Sequence, residues 1–293
     1  MLLALVAQRR TATNVALAAA VPPGIDARIM PPARAATLLG AGAAALGRID
    51  VSDGLDGPED GLWALGTLAA RGVRVLNRAG ALLAAHDKLL TARVLAREAI
   101  PHPHTRVVYP GDPPGAWDGP VVVKPRFGSW GRDVELCLDE IALRRHLGAL
   151  ESRLWFRQHG ALVQELVPPE GYDLRVVVAG GVAVGAVARV AAPGEWRTNV
   201  ALGGTRTPVD PPAAALDLAV RAAGTAGLDL VGVDLLPLPD GGYTVLELNG
   251  AVDFTREYAL DRDPFVAAAA ELARLAERRS QLRDESFTGF QPT

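Results

Sequence analysis

Asp234, in Val233-Asp234-Leu235, and the run Val245-Leu246-Glu247-Leu248-Asn249-Gly250 carry two carboxylates and an amide oxygen that can converge. Their apolar neighbours mark two strands, and residues two apart on a strand share a side, so Glu247 and Asn249 point together. Asp240-Gly241-Gly242 is a turn that folds Asp234 back alongside them. Oxygen donors of this kind suit a hard cation such as Mg2+, which completes its shell with water and phosphate. A solvated strand face beside a turn would use the same residues.

A second set is cationic. Val121-Val122-Val123-Lys124-Pro125 ends an apolar strand on a lysine whose ammonium needs a partner once buried, and phosphate is a suitable one. In Gly128-Ser129-Trp130-Gly131-Arg132 the glycines let backbone amides approach phosphate oxygens. This loop is neither GxxxxGK[ST] nor GxGxxG, and an ordinary hairpin turn would also account for it. Arg189 closes a strand of small apolar residues, where a planar guanidinium calls for an anion, either a substrate or a salt-bridge partner. Asn199 follows in Arg197-Thr198-Asn199-Val200, ahead of Gly203-Gly204.

The stretch Leu162-Val163-Gln164-Glu165-Leu166-Val167 runs into Pro168-Pro169 and then Tyr172-Asp173-Leu174-Arg175. Such a strand can offer backbone groups to an adenine edge and a carboxylate to ribose hydroxyls, or simply link two lobes. The five histidines are scattered without zinc spacing. Nothing resembles GxSxG or a paired Cys/His nucleophile.

The elements that must position these residues follow from patterning. Over 1–76, apolar runs (Leu2–Ala7, Arg48–Val51, Val73–Leu76) alternate with helical stretches (Asn14–Ala20, Arg34–Leu39, Glu59–Arg71), which implies a parallel α/β lobe. Asp87 is a good N-cap for a helix over Lys88–Ala99, stopped by Pro101 and Pro103. Strands at Val107–Tyr109, Val121–Lys124, Val134–Cys137 and Leu162–Leu166, with a helix near Asp139–Leu150, predict a small α+β lobe. Leu174–Ala179 and Val182–Val190 flank Gly180-Gly181, a hairpin signal. A helix over Ala213–Ala226, strands at Leu230–Leu236 and Tyr243–Leu248, and a helix near Pro264–Arg279 complete the pattern, before a polar, disorder-prone tail from Ser280. The expected division is 1–84, 85–168, 169–279 and the tail 280–293.

At 293 residues the chain exceeds what one core usually organises. Lys plus Arg number 30 against 33 Asp plus Glu, for a net charge of −3, which supplies no field for a polyanion and argues against nucleic acid. A single cysteine, Cys137, excludes an intramolecular disulfide and fits a reducing cytoplasm. The apolar start precedes Arg9 and Arg10 rather than following a basic region, so it reads as a buried strand and not as a secretory signal. No run approaches the roughly 20 apolar residues of a membrane span.

In their order, from about Asn77 to Phe265, these segments resemble the ATP-grasp superfamily, and within it the RimK-like and LysX-like amino-acid ligases. Val75-Leu76-Asn77-Arg78 and Asp87-Lys88 add to the likeness. The resemblance implies a mixed α/β (α+β) ATP-grasp fold with a preATP-grasp α/β lobe, a small central lobe and a carboxy-terminal antiparallel-sheet lobe, ATP lying between the last two. It implies phosphate contacts from Lys88 and Lys124, a lid over Gly128, Ser129, Trp130, Gly131 and Arg132, adenine at Gln164, Glu165, Leu166 and Val167, and ribose at Asp173. Asp234, Glu247 and Asn249 would hold Mg2+, or Mn2+ in its place. Arg189 and Asn199 would steady the γ-phosphate and an acyl phosphate, with Arg175 orienting them.

The implied reaction joins a small-molecule, peptide or carrier-protein carboxylate to an amine, that of an amino acid, in a homodimer or homotetramer. Two other readings are a nucleotide-binding regulator without turnover and a kinase that releases its phosphorylated product. After Asn249, Gly250–Tyr258 departs from the proline- or histidine-containing segment of many relatives, so Asp253, Arg256 and Tyr258 either read the acceptor or pack the loop.

Overall fold

The computed structural model describes residues 1–287, with side chains to 277. Four parallel strands open the chain: β1 (Leu2–Val6), β2 (Asp26–Met30), β3 (Ala44–Gly47) and β4 (Arg74–Leu76), in the order β2-β1-β3-β4. Helices α1 (Ala12–Ala19), α2 (Pro32–Leu38) and α3 (Leu62–Ala70) connect them. Two departures from the patterning have clear causes. β2 escapes notice because Asp26 and Arg28 interrupt its apolar residues, as an edge strand permits. β3 is alanine-rich and was expected four residues later; burial between β1 and β4 overrides its weak intrinsic strand preference. Arg48 and Asp50 therefore follow the carboxyl end of β3, where α/β sheets place their ligand-binding loops.

Helices α4 (Ala79–His86) and α5 (Lys88–Arg97) come next, and the Asp87 carboxylate caps α5 by accepting from the amides of Leu89 and Leu90. The small lobe is an antiparallel sheet of β5 (Thr105–Val108), β6 (Val121–Pro125), β7 (Glu135–Cys137) and β8 (Ala161–Glu165), ordered β5-β8-β6-β7. Helices α6 (Glu140–Leu150) and α7 (Leu154–His159) back it; α7, a short segment, is not legible in the patterning.

The largest sheet comprises β9 (Tyr172–Ala179), β10 (Val182–Val190), β11 (Thr205–Pro208), β12 (Leu230–Pro237) and β13 (Tyr243–Asn249), ordered β11-β10-β9-β12-β13. Gly180 and Gly181 both take positive φ, 59° and 83°, as a two-residue hairpin matched to strand twist demands. α8 (Ala213–Thr225) covers one face and α9 (Pro264–Phe287) the other. The polar segment expected to leave the fold at Ser280 instead continues α9 to Phe287; the rest of it lies outside the described residues. No helix among the described residues is long and apolar enough to cross a membrane.

Hydrophobic packing joins the first and third sheets. Val6, Leu65 and Leu82 share one core with Val176, Val233 and Leu248, whereas Val123, Phe156 and Val163 form a separate core in the small lobe. Asn77, at φ 49°, ties the joint: its side chain donates to the carbonyls of Leu230 (2.7 Å) and Gly250 (3.2 Å) and accepts from the amides of Asp229 and Leu230. The β12–β13 hairpin is thereby anchored to the first sheet at its carboxylate-bearing end.

Candidate active site

A cleft enclosing roughly 1630 Å3, open to solvent, runs between the small sheet and the large one. Every residue assigned above to nucleotide, metal or acyl phosphate lines it: Lys88, Lys124 and Gly128 to Arg132 with Gln164 to Val167, and across from them Asp173, Arg175, Arg189, Asn199, Asp234, Glu247 and Asn249.

Asp234 and Glu247 are direct cross-strand partners on β12 and β13. The register then slips so that Leu235 faces Val245, leaving Leu246 as a bulge. In consequence Val245 and Leu248 both enter the core, while Leu246, Glu247 and Asn249 reach the cleft. Glu247 and Asn249 are half-buried. Asp234 is buried between two guanidinium groups: Arg175 Nε and Nη2 each donate at 2.7 Å, and Arg189 Nη2 donates at 2.8 Å. Burial pushes this carboxyl up, but Arg175 and Arg189 outweigh it and hold it at about 2.

Arg189 also donates through Nε to Asp173 (2.7 Å), and Asp173 accepts from Thr198 Oγ1 (2.7 Å). Burial alone would lower the Arg189 pKa, yet Asp234 and Asp173 raise it above its ordinary value. The structure thus gives Asp173 different partners from the ribose hydroxyls anticipated for it. It is 1% exposed, and its carboxylate is committed to Arg189 and Thr198. The segment from Gln164 to Gly171, the hinge between the small sheet and the large one, carries two exposed carboxylates on the cleft wall, Glu165 and Glu170.

On the opposite wall, Lys124 Nζ donates to Gln164 Oε1 at 2.8 Å, and Gln164 in turn donates to Thr105 Oγ1. Burial lowers the Lys124 pKa to about 8; nearby Lys88 adds to the fall and Glu247 partly opposes it. Lys88, first residue of α5, donates to the Gly128 carbonyl (2.5 Å) and lies 3.5 Å from Glu247 Oε1. It links the Gly128–Arg132 loop to the carboxylate hairpin. In the hinge, the amides of Glu165 and Leu166 already donate to the carbonyls of His104 and Pro120.

The Gly128–Arg132 loop and the residue after it are bent through three positive φ values, at Trp130 (64°), Gly131 (69°) and Asp133 (53°). The loop is held down from two sides. Arg132 pairs with Asp53 of the amino-terminal lobe at 2.9 Å, and Arg197 donates to the carbonyls of Val134 and Gly131. A Cβ on Gly131 would fall 2.9 Å from Asn199 Oδ1, so glycine permits the lid to touch that residue.

Several cleft residues were not singled out from the sequence. Arg197 and Thr198 sit inside a quoted motif but gain their roles only from the fold. Arg206, on β11 opposite Arg189, lines the cleft with a buried Nε that has no hydrogen-bond partner. Its single signal is a charge closely following Gly203-Gly204. Asp50, in the segment that follows β3, also lines the cleft.

The donor set fits a divalent cation in part. Glu247 and Asn249 present hard oxygens to the cleft, whereas Asp234 already faces two arginines. Among the described residues no group of three or more His, Cys, Asp or Glu side chains could hold an ion alone. An ion here must draw on amide oxygen, water and phosphate, which is Mg2+ behaviour.

A family model described as the RimK-like ATP-grasp domain matches residues 85–274. Glutamate–LysW ligase ArgX of Sulfurisphaera tokodaii is 32% identical over 197 residues, covering 66% of this chain and 70% of that protein. α-Aminoadipate–LysW ligase LysX of the same organism is 32% identical over 186 residues, covering 62% and 65%. The chain therefore aligns with about two thirds of the length of these relatives. A RimK domain ATP-grasp protein of Sphaerobacter thermophilus, 23% identical with a TM-score of 0.63, covers 93% of this chain and matches it over its whole length, a likeness of fold.

Proposed function

We propose, from the premise that this chain belongs to the RimK-like ATP-grasp family, that it is an ATP-dependent ligase which activates a carboxylate as an acyl phosphate and couples it to an amine. The observation that supports this best is the meeting of Lys88 and Lys124 on one wall with Arg175, Arg189, Glu247 and Asn249 on the other, around a single cleft. Triphosphate and an attacking carboxylate together carry more negative charge than they could bring together unaided. The cleft supplies the compensating cations.

ATP binds as substrate, with its adenine at the hinge and its phosphates between Lys88, Lys124 and the lid amides. Glu247 and Asn249, with Asp234 behind them, are the residues that would hold Mg2+ or Mn2+. Such an ion would supply charge neutralisation to the phosphates. Arg189 is kept rigid by Asp173 and Asp234, so its guanidinium does not reorganise as charge shifts toward it, and Asn199 lies against Gly131 of the lid. The substrate carboxylate attacks the γ-phosphorus in line, and ADP leaves. The amine nitrogen then bonds to the acyl carbon, the carbon–oxygen bond to phosphate breaks, and the nitrogen loses a proton. Trp130 and the lid exclude water, which would otherwise take the amine's place.

The small lobe, with a core of its own, is the body that opens and closes on the rest, and we place the lobe boundaries near residues 84 and 168. An amino acid supplies the amine, and the acid belongs to a small molecule, a peptide or a carrier protein of the kind named in the two relatives. The test is ADP and phosphate release across a panel of acids and amino acids, with mass spectrometry of products. ADP with a new amide is expected. Stable phosphorylated acid without amide would make the chain a kinase, and nucleotide binding without turnover on any pair would make it a regulator.

A further inference from the structure

A smaller cavity, open to solvent and enclosing roughly 460 Å3, adjoins the main cleft. The amino-terminal lobe, the lid and the loop after β13 build it. Asp50, Trp130, Ala251 and Asp253 line both cavities and so form the passage between them. Arg9, Arg48 and Glu59 line the smaller one only.

The charges are unevenly committed. Arg9 pairs with Glu59 at 2.7 Å. Arg48, its side chain 2% exposed, donates through Nε to Asn14 Oδ1 (2.9 Å) and through Nη2 to the Val252 carbonyl (2.7 Å). The carboxylate it pairs with, that of Asp253, stands at 3.7 Å and is half-exposed, and Nη1 has no partner. A buried guanidinium without a hydrogen-bonded carboxylate is costly until an anion joins it. Burial lowers its pKa accordingly, against the pull of Asp253 and Asp50. On the passage, Asp253 pairs with Arg48 at 3.7 Å, and Asp50 has no ion pair among the described residues.

A molecule bearing both charges would be oriented by this arrangement. Its carboxylate goes to Arg48, and its ammonium turns toward Asp50 and Asp253, at the opening into the cleft where the acyl phosphate forms. An amine without a carboxylate lacks the anchor. We propose that Arg48 reads the α-carboxylate of the amino-acid substrate in this annex, while Asp50 and Asp253 point its amine into the cleft. The proposal rests on the ligase reading for its chemistry, though not for its binding geometry.

The test is calorimetric titration of the full chain with Mg2+ and a non-hydrolysable ATP analogue present. Titrants are the standard α-amino acids and α-aminoadipate, then the α-carboxamide of the tightest binder. At least one amino acid binds, and its carboxamide binds about tenfold or more weakly, the scale of a charge-assisted hydrogen bond. Arg48→Met levels the two while nucleotide affinity stays within about twofold. Asp50→Asn, which leaves the Arg48 hydrogen bonds intact, weakens the amino acid but keeps the carboxamide penalty. Failure of any amino acid to bind, equal binding of acid and carboxamide, or discrimination surviving in Arg48→Met overturns the assignment. Should Arg48→Met not fold, the wild-type comparison and Asp50→Asn decide it. Amino-acid binding without ADP release on any acid would sink the ligase reading and leave the annex standing. Turnover of simple amines with undiminished kcat/KM would sink the annex and leave the ligase.

Discussion

The ammonium of Lys124 donates to the side-chain oxygen of Gln164, 2.8 Å away on the neighbouring strand, and forms no ion pair among the described residues. A buried cation held only by an amide is poised for an anion. Lys124→Met is expected to weaken ATP binding by about tenfold or more, read by nucleotide titration. Because the folded-state pKa is lowered to about 8 from 10.5, the folded chain holds fewer protons than the unfolded one between those values. Burial of Lys124 therefore opposes folding at pH 7, and the opposition fades as pH rises through that window. Melting curves should show Lys124→Met more stable than wild type at pH 7, with the gap closing toward pH 10. ATP affinity of the wild type should fall above about pH 8.

Glu247 is half-buried, faces the cleft and pairs across the strands with Asp234. Glu247→Gln keeps the volume and removes the charge. Turnover should drop by about two to three orders of magnitude, the scale of losing one preorganised contact to developing charge. Stability should move by only about 0.5 kcal/mol, measured by denaturant unfolding. Undiminished turnover would take Glu247 out of the site.

Arg189 bridges two buried carboxylates, Asp173 and Asp234, and is the guanidinium that holds Asp173. Arg189→Met should cost about 3–5 kcal/mol in denaturant melts, since it strands Asp173 and leaves Asp234 to Arg175 alone. The sign of the acid limb follows from Asp234, depressed to about 2 from 3.8. Its contribution to stability is full above pH 4 and is lost as pH falls toward 2. In Arg189→Met that acid-labile component should shrink.

Gly131 lies at φ 69° against Asn199. Gly131→Ala adds about 1–2 kcal/mol of backbone strain and a contact that must give way. On the proposed mechanism kcat falls while the affinity for ATP in the absence of the second substrate changes by less, because the adenine and the lysine contacts to phosphate are untouched. Rapid-quench measurement of ADP formation against product release separates the two.

Much of the site was legible in the chain because strand chemistry is local. A period of two puts Glu247 and Asn249 on one side, and Asp240-Gly241-Gly242 folds Asp234 back opposite them. The positive-φ glycines of the β9–β10 turn and the cap at Asp87 are local in the same sense. Where a strand owed its existence to neighbours, as with alanine-rich β3 or the charged edge β2, the pattern misled.

By itself, then, the sequence determined which residues could serve as cations, oxygen donors and turns, and in what order, since these depend on side-chain chemistry and short-range backbone preference. Partner choice belonged to the tertiary structure. That Asp173 holds Arg189 rather than facing outward, that a bulge at Leu246 turns Leu246, Glu247 and Asn249 toward the cleft while Val245 and Leu248 stay in the core, and that Arg48 comes to stand beside Asp253 over two hundred residues away all depend on packing. Long-range burial decides which charges are already satisfied and which are left to bind a substrate, and no periodicity in the chain encodes that balance.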